Sequence, residues 1–354
     1  MFFSKNNTQG HYPTTEEIQK NLDLISKEID EPEIESSLSI LQATARDAII
    51  SKASCFANGY FNDPRLYKFA SLARSLTATQ PPSPSLRRGY FMRMMIIEQT
   101  IKAFVASYPD QPIQIVNIGS GLDPVAFRWI KKADIHWLDI DLPDVIVDKI
   151  KLMREDLELM HSLGSSSVDG FNFYSTQYKL IDCDIRIPSL FQKTLSMLDR
   201  NTPTLVIAEC VLCYIDTASG NLALSVMRDY FEQMHLAVFE MVGANDMFGS
   251  SMIEDLEKLD VFLPGFKKYK TTSQQVDRFK HFFNRVFMSL SSDMYKNWVN
   301  FVDQKKMDDN DPISEEDLSR YMEIARHYSI TIASNKKDSH HDDLVNALTV
   351  RYKL

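Results

Sequence analysis

The chain has 354 residues, of which 44% are hydrophobic and 11 are glycine, and a formal net charge of -9 at pH 7. That is enough apolar material for a sizeable core and too little glycine for a low-complexity protein. There is no basic excess to suggest a nucleic-acid partner, the acidic balance disfavours anionic membranes, and no apolar run approaches the ~20 residues that span a bilayer.

Residues 1–43 read as a poorly ordered leader. Met1 to Thr15 is polar and lacks the apolar stretch of a secretory signal. Leu22, Leu24, Ile25 and Ile29 form a partial helical stripe expected to break near Pro32, and the acids Asp30, Glu31, Glu33 and Glu35 suggest a loop. Helical spacing returns over 43–57, with Ala48, Ile49, Ala53 and Phe56 on one side. Asn62-Asp63-Pro64 is a turn and a helix start, Gln80 to Ser85 with its three prolines is a loop, and Tyr90–Ala106 is a long helix.

Ile113–Ile118 is β-branched and reads as a buried strand. Further strands are expected at Ile135–Ile140, Tyr178–Cys183, Thr204–Ala208 and Leu236–Phe239, separated by helices over 144–163, 189–198 and 219–234. This alternation predicts an α/β fold, a mainly parallel sheet with helices on both faces. Val286–Leu290 and Ser329–Ala333 are expected as edge strands, and residues 335–354 as a tail that is polar and solvated up to 343. Cys55, Cys183, Cys210 and Cys213 provide one isolated C-x-x-C in an apolar run. Free thiols and a reducing compartment, cytoplasmic or nuclear, are therefore expected. His340-His341-Asp342-Asp343 offers metal-ligand residue types without an apparent rigid element, so no metal site is expected.

The first strand runs into Gly119-Ser120-Gly121-Leu122-Asp123. Glycines there let a ligand approach the backbone at the sheet's carboxyl edge, although the pair also fits a tight strand-to-helix turn. The second strand ends in Asp139-Ile140-Asp141, and Asp141 lies 22 positions after Gly119, a spacing suited to ribose hydroxyls. Asp139 shares its side by the two-residue period, so either acid can be the ribose ligand. Asp184 closes the third strand, where an acid can meet an adenine amino group or cap the following helix. Glu209 ends the fourth, placed for a cationic amino group or for an ordinary salt bridge. Pro124 stands where a dinucleotide fingerprint needs its third glycine, which favours S-adenosyl-L-methionine over NAD.

Five segments in this order resemble one family. They are Ser51-Lys52 with Gly59-Tyr60-Phe61-Asn62-Asp63-Pro64, Arg88-Gly89-Tyr90-Phe91-Met92-Arg93, the strand and loop from Ile115 to Asp123, Asp139-Ile140-Asp141-Leu142-Pro143, and Leu205 to Tyr214 with its A-E-C-V-L core. Together with Arg326-His327-Tyr328 they look like leucine carboxyl methyltransferases. The resemblance implies a class I S-adenosylmethionine-dependent methyltransferase fold over 44–334, Rossmann-like with an antiparallel edge. It also implies a helical cap at 44–110 and an insert at about 245–300. Lys52 and Arg93 would hold the methionine carboxylate, Gly119 would lie in the cofactor loop, and Asp141 would bind the ribose. Asp184 and Ile185 would meet the adenine and Glu209 the amino group. Tyr214 and the Arg88–Arg93 segment would lie near the acceptor. The implied reaction is methyl esterification of the C-terminal leucine carboxylate of the type 2A protein phosphatase catalytic subunit, by a chain expected to be monomeric. That carboxylate is ionised at neutral pH and needs no general base, in keeping with the absence of a Ser-His-Asp or Cys-His pattern. The competing readings are a small-molecule O-methyltransferase of the same fold and a non-catalytic cofactor-binding scaffold.

Overall fold

The computed structural model describes residues 31–76, 82–299, 301–336 and 340–349. The chain divides into two compact units, Met1–Leu41 and Gln42–Leu354. Within the first, the described residues 31–41 are helical; the stripe at Leu22, Leu24, Ile25 and Ile29 lies outside the described residues.

Among the described residues three helices precede the sheet: α1 (Glu31–Ala57), α2 (Pro64–Leu76) and α3 (Pro84–Ser107). Of the acidic run read as a loop, Glu31, Glu33 and Glu35 lie instead at the start of α1, and Asp30 lies outside the described residues. Pro32 falls in the first turn of α1, where a missing N–H costs nothing. Pro84 likewise opens α3 rather than belonging to the proline loop, with Ser83 capping through a side-chain bond to the Leu86 N–H. Gln80 and Pro81 of that expected loop lie outside the described residues.

Strands β1 (Ile113–Ile118), β2 (Ile135–Asp141), β5 (Tyr178–Asp182), β6 (Thr204–Glu209) and β7 (Met234–Met241) form the parallel centre, ordered β5-β2-β1-β6-β7. Their residues alternate between two cores. Ile115, Trp137 and Ile207 face one; Val116, Leu138 and Val206 face the other. Between β1 and β5 run α4 (Ala126–Trp129), α5 (Pro143–Glu155) and α6 (Leu157–Leu163), the last two split at Asp156 where one helix was expected. A hairpin, β3 (Ser166–Asp169) and β4 (Asn172–Ser175), extends the β5 edge antiparallel. β3 is exposed throughout and each strand has only four residues, too few to show an alternation. α7 (Pro188–Leu195) and α8 (Thr217–Tyr230) complete the crossovers to β6 and β7.

Residues 245–300 carry α9 (Met247–Glu257), α10 (Pro264–Lys268), α11 (Thr272–Phe282), β8 (Arg285–Leu290) and α12 (Ser291–Trp298). They are not all insert, because β8 is a strand of the main sheet. It follows β9 (Tyr328–Ser334), which pairs antiparallel with β7, so the described residues form one nine-stranded sheet. α13 (Phe301–Asn310) and α14 (Glu315–Arg326) lead into β9. The expected solvated tail is corrected by α15 (His340–Thr349), whose His341, Leu344 and Leu348 are buried. Among the described residues no helix is long and apolar enough to cross a membrane.

Candidate active site

The carboxyl ends of β1, β2, β5 and β6 lie side by side, so the loops that follow them share one rim of the sheet. After β1 the chain turns through Gly119 (φ 61°) and Gly121 (φ 54°), both in the left-handed region that glycine enters freely. A Cβ on Gly119 would stand 2.5 Å from Val211 Cγ2, so the loop after β6 presses directly on this backbone.

Asp141 accepts from the N–H of Gly121 at 2.6 Å and of Leu142 at 2.8 Å, which ties the end of β2 to the glycine turn. Burial raises its carboxyl to about 6 against the pull of those two donors. Asp139 is different. It is fully buried, and its oxygens take Trp137 Nε1 at 2.6 Å, Tyr178 Oη at 2.7 Å and Lys149 Nζ at 2.8 Å. A carboxylate so enclosed has no face left for a ligand, and of the two acids only Asp141 reaches the turn.

Helices α1 and α3 bring two cations to the end of β6. Lys52 Nζ lies 2.6 Å from Glu209 and 2.5 Å from Asp123, and Arg93 Nε bonds the same Glu209 oxygen. The four groups form a nearly enclosed tetrad of two positive and two negative charges, with Lys52 only 4% exposed. Burial opposes ionisation of Asp123 and Glu209, but it is outweighed. Lys52 and Arg128 lower Asp123 to about 2, and Arg93 and Lys52 hold Glu209 below the usual carboxylate range. Arg93 also lies over the rings of Tyr90 and Phe239, at 5.3 and 5.9 Å. Asp123 was quoted in the sequence only as part of a motif. Its partner is Lys52, 71 positions away, and no local pattern reveals that pairing.

Other expected residues are placed less simply. Arg88, grouped with Arg93 by sequence, has no exposed surface and pairs with Asp308 and Tyr295 instead. Asp184 does not cap α7, whose N-cap is Ile187; its carboxylate takes the Arg186 backbone N–H and guanidinium. Ile185 is buried in the core that holds Val116 and Leu138, and the Cys183 N–H donates to the Asp141 carbonyl, so this strand end joins the rim. Tyr214 lies in a 3-10 turn, Leu212–Tyr214, after β6. Burial lifts its hydroxyl well above the ordinary range, so it stays a neutral donor.

The rim suits a zwitterionic ligand. A carboxylate can exchange into the two cations and an ammonium into the two acids, while the buried Ser120 hydroxyl of the glycine turn has no hydrogen-bond partner among the described residues.

Comparison with known proteins identifies a family. The sequence model of one family, described as Leucine carboxyl methyltransferase, matches residues 40–227. Leucine carboxyl methyltransferase 1 of Bos taurus is 30% identical over 249 residues, covering 67% of this chain and 73% of that protein. The chain belongs to the leucine carboxyl methyltransferase family. The Arabidopsis thaliana Leucine carboxyl methyltransferase 1 homolog is 28% identical over 312 residues, covering 86% of this chain and 91% of that protein. A tRNA wybutosine-synthesizing protein 4 from Candida albicans is 26% identical over 280 residues, which is 74% of this chain but 40% of that protein. A crystal structure from Thermobifida fusca, named as a candidate methyltransferase, superposes with a TM-score of 0.50 at 14% identity. It covers 84% of this chain and 94% of that one, and it shows the fold alone. As a member of the leucine carboxyl methyltransferase family, the chain is an enzyme that uses S-adenosyl-L-methionine on a class I methyltransferase fold.

Proposed function

We propose that this methyltransferase esterifies the C-terminal leucine carboxylate of the type 2A protein phosphatase catalytic subunit. The observation that carries the reading is the Lys52–Asp123–Glu209–Arg93 tetrad beside the glycine turn, in a chain of this family. Lys52 and Arg93 take the methionine carboxylate of the cofactor, Glu209 its ammonium, and Asp141 the ribose hydroxyls. Asp184 and Ile185 border the adenine, and Gly119 lets the cofactor lie against the backbone. Bound there, S-adenosyl-L-methionine supplies a methyl group on a sulfonium cation. Arg93 then faces the acceptor carboxylate through whatever hydrogen-bonding capacity the cofactor leaves it, and Tyr214 offers a neutral donor. A neutral donor orients the nucleophile without neutralising it as a second cation would.

The chemistry needs no base. A C-terminal carboxyl with a pKa of about 3.5 arrives ionised, so the protein has to align it and keep water out. Opposite charges cancel as the methyl moves, and an enclosed rim such as the one around Lys52 suits that change. The free cysteines fit a reducing compartment, cytoplasm or nucleus.

The test is transfer of labelled methyl from S-adenosyl-L-methionine to purified phosphatase catalytic subunit and to a form lacking its terminal leucine. Labelling of the intact form alone supports the reading, and equal labelling of both overturns it.

A further inference from the structure

Two backbone donors just beyond β6 converge on one side-chain oxygen. The N–H groups of Val211 and Leu212 donate to the same carboxylate oxygen of Glu240, at 2.8 and 2.7 Å. Glu240 sits on β7 and is 6% exposed. These amides open the 3-10 turn that carries Tyr214 and have no partner within it, so an acceptor is required from elsewhere. The Cys213 thiol also donates to Glu240, and the Arg278 guanidinium of α11 adds its field.

The residue between Glu209 and Val211 shows why the grip matters. Cys210 has a φ of 55°, a left-handed conformation that is costly for a residue with a Cβ and persists only where the surroundings impose it. They do so from both sides. The Cys210 N–H is held by the Phe239 carbonyl at 2.7 Å, and the next two amides are held by Glu240. The resulting turn leaves Glu209 against Lys52 and Arg93 and packs Val211 onto Gly119. One carboxylate that makes neither contact itself thus sets the acid of the tetrad, the wall of the glycine loop and the start of the Tyr214 turn.

We infer that Glu240 is a positioning residue for methyl transfer, acting by clamping the backbone of Val211 and Leu212 so that Glu209 and the glycine loop hold their places. The inference rests on reading Glu209 and the glycine loop as the cofactor site. What it requires of residue 240 is an acceptor oxygen at this reach rather than a charge.

The experiment compares Glu240→Gln with Glu240→Asp in the full chain. S-adenosyl-L-methionine affinity is measured by calorimetry, kcat and KM per folded molecule, and the melting temperature alongside. Glutamine keeps the oxygen in place and should stay within about threefold of the parent in affinity; aspartate draws it back by a methylene and should lose about 10²-fold in kcat/KM, the scale of a misplacement near 1 Å. A purely structural role would lower the melting temperature and the active fraction but leave the cofactor KM unchanged. Wild-type KM and kcat in the folded aspartate variant, or equal damage in both variants, overturns the inference. Should Glu240→Asp fold too poorly to assay, Glu240→Gln decides alone: affinity and kcat/KM within about threefold of the parent support the inference, and a loss of about 10²-fold in a folded glutamine variant overturns it. Glu209→Gln separates the two readings. Unchanged cofactor affinity there removes the site assignment itself, whereas a weakened Glu209→Gln beside an unaffected Glu240→Asp removes only this inference.

Discussion

Lys52 Nζ stands 2.6 Å from a Glu209 carboxylate oxygen, joining a helix ahead of the sheet to the carboxyl end of its fourth parallel strand in chain order. The contact spans 157 positions of sequence and, with Asp123 and Arg93, places four ionised groups in a nearly dry rim. Charges so enclosed are tolerated only together. Loss of one leaves the others desolvated and unbalanced, which sets the first prediction.

Lys52→Met should destabilise the chain by about 3 kcal/mol at pH 7, the low end for breaking a buried pair because the two acids keep some exposure. Both acids have folded pKa values lowered from the ordinary range, Asp123 to about 2. Their contribution is therefore present above the unfolded values near 4 and lost as pH falls through the folded ones. Urea unfolding at pH 7 and pH 3 checks this: the gap between parent and variant should shrink at the lower pH. The same variant should bind S-adenosyl-L-methionine far more weakly by calorimetry, and so should Arg93→Ala.

Asp141 titrates in the opposite sense. Burial raises its carboxyl to about 6, so the proton is held more tightly in the folded chain than in the unfolded one. Its ionisation costs stability as pH climbs from about 4 through 6, while the ionised form is the better acceptor for ribose hydroxyls. Cofactor affinity should accordingly fall below pH 6, approaching tenfold per pH unit, and Asp141→Asn should be weak and flat over the same range. Calorimetry from pH 5 to 8 gives both curves; a parent affinity independent of pH would remove Asp141 from the ribose.

The rim was legible in sequence because its parts are local. A β-branched run, two glycines and an acid at the end of the next strand each announce themselves through period and spacing. Position within the rim was not. Asp139 and Asp141 share a strand face, and only the packing of Trp137, Tyr178 and Lys149 around the first shows that it is spent on the core. Arg88 and Arg93 are likewise one motif in sequence but have unrelated partners in space. Glu240 gave no signal, since an acid inside a strand reads as a flaw until the amides it satisfies are seen. Pro32 and Pro84 misled for one reason. A proline looks like a breaker, yet at the first turn of a helix it is favoured.

The two glycines of the turn should respond unequally to alanine. Both have positive φ, so each substitution carries a backbone cost of about 1 kcal/mol. At Gly121 the added methyl would meet only Ala45 at an ordinary 3.7 Å, whereas at Gly119 it would stand 2.5 Å from Val211 Cγ2 and push the turn after β6 outward. Gly119→Ala should therefore lose S-adenosyl-L-methionine binding by about 10²-fold while Gly121→Ala loses far less. Val211→Ala in the Gly119→Ala background should return part of the loss, because it removes the clashing methyls. Additive losses in that double-mutant cycle would show that the contact with Val211 is not the cause.

The C-terminal helix should prove structural. The polarity of 335–343 suggests a free tail, but α15 sets Leu344 and Leu348 into the core at 0% and 1% exposure. His341 Nδ1 reaches the Ser334 hydroxyl at 2.9 Å, and that hydroxyl also meets His235 Nδ1 at 2.7 Å inside the sheet. The Leu348 carbonyl accepts from Trp298 Nε1 at 3.2 Å, so the helix is anchored at both ends. Leu344→Ala removes a fully buried side chain from a filled core and should cost about 3 kcal/mol. Equilibrium unfolding in urea measures that loss. A cost under about 0.5 kcal/mol, typical of exposed positions, would mean that the helix does not pack here in solution.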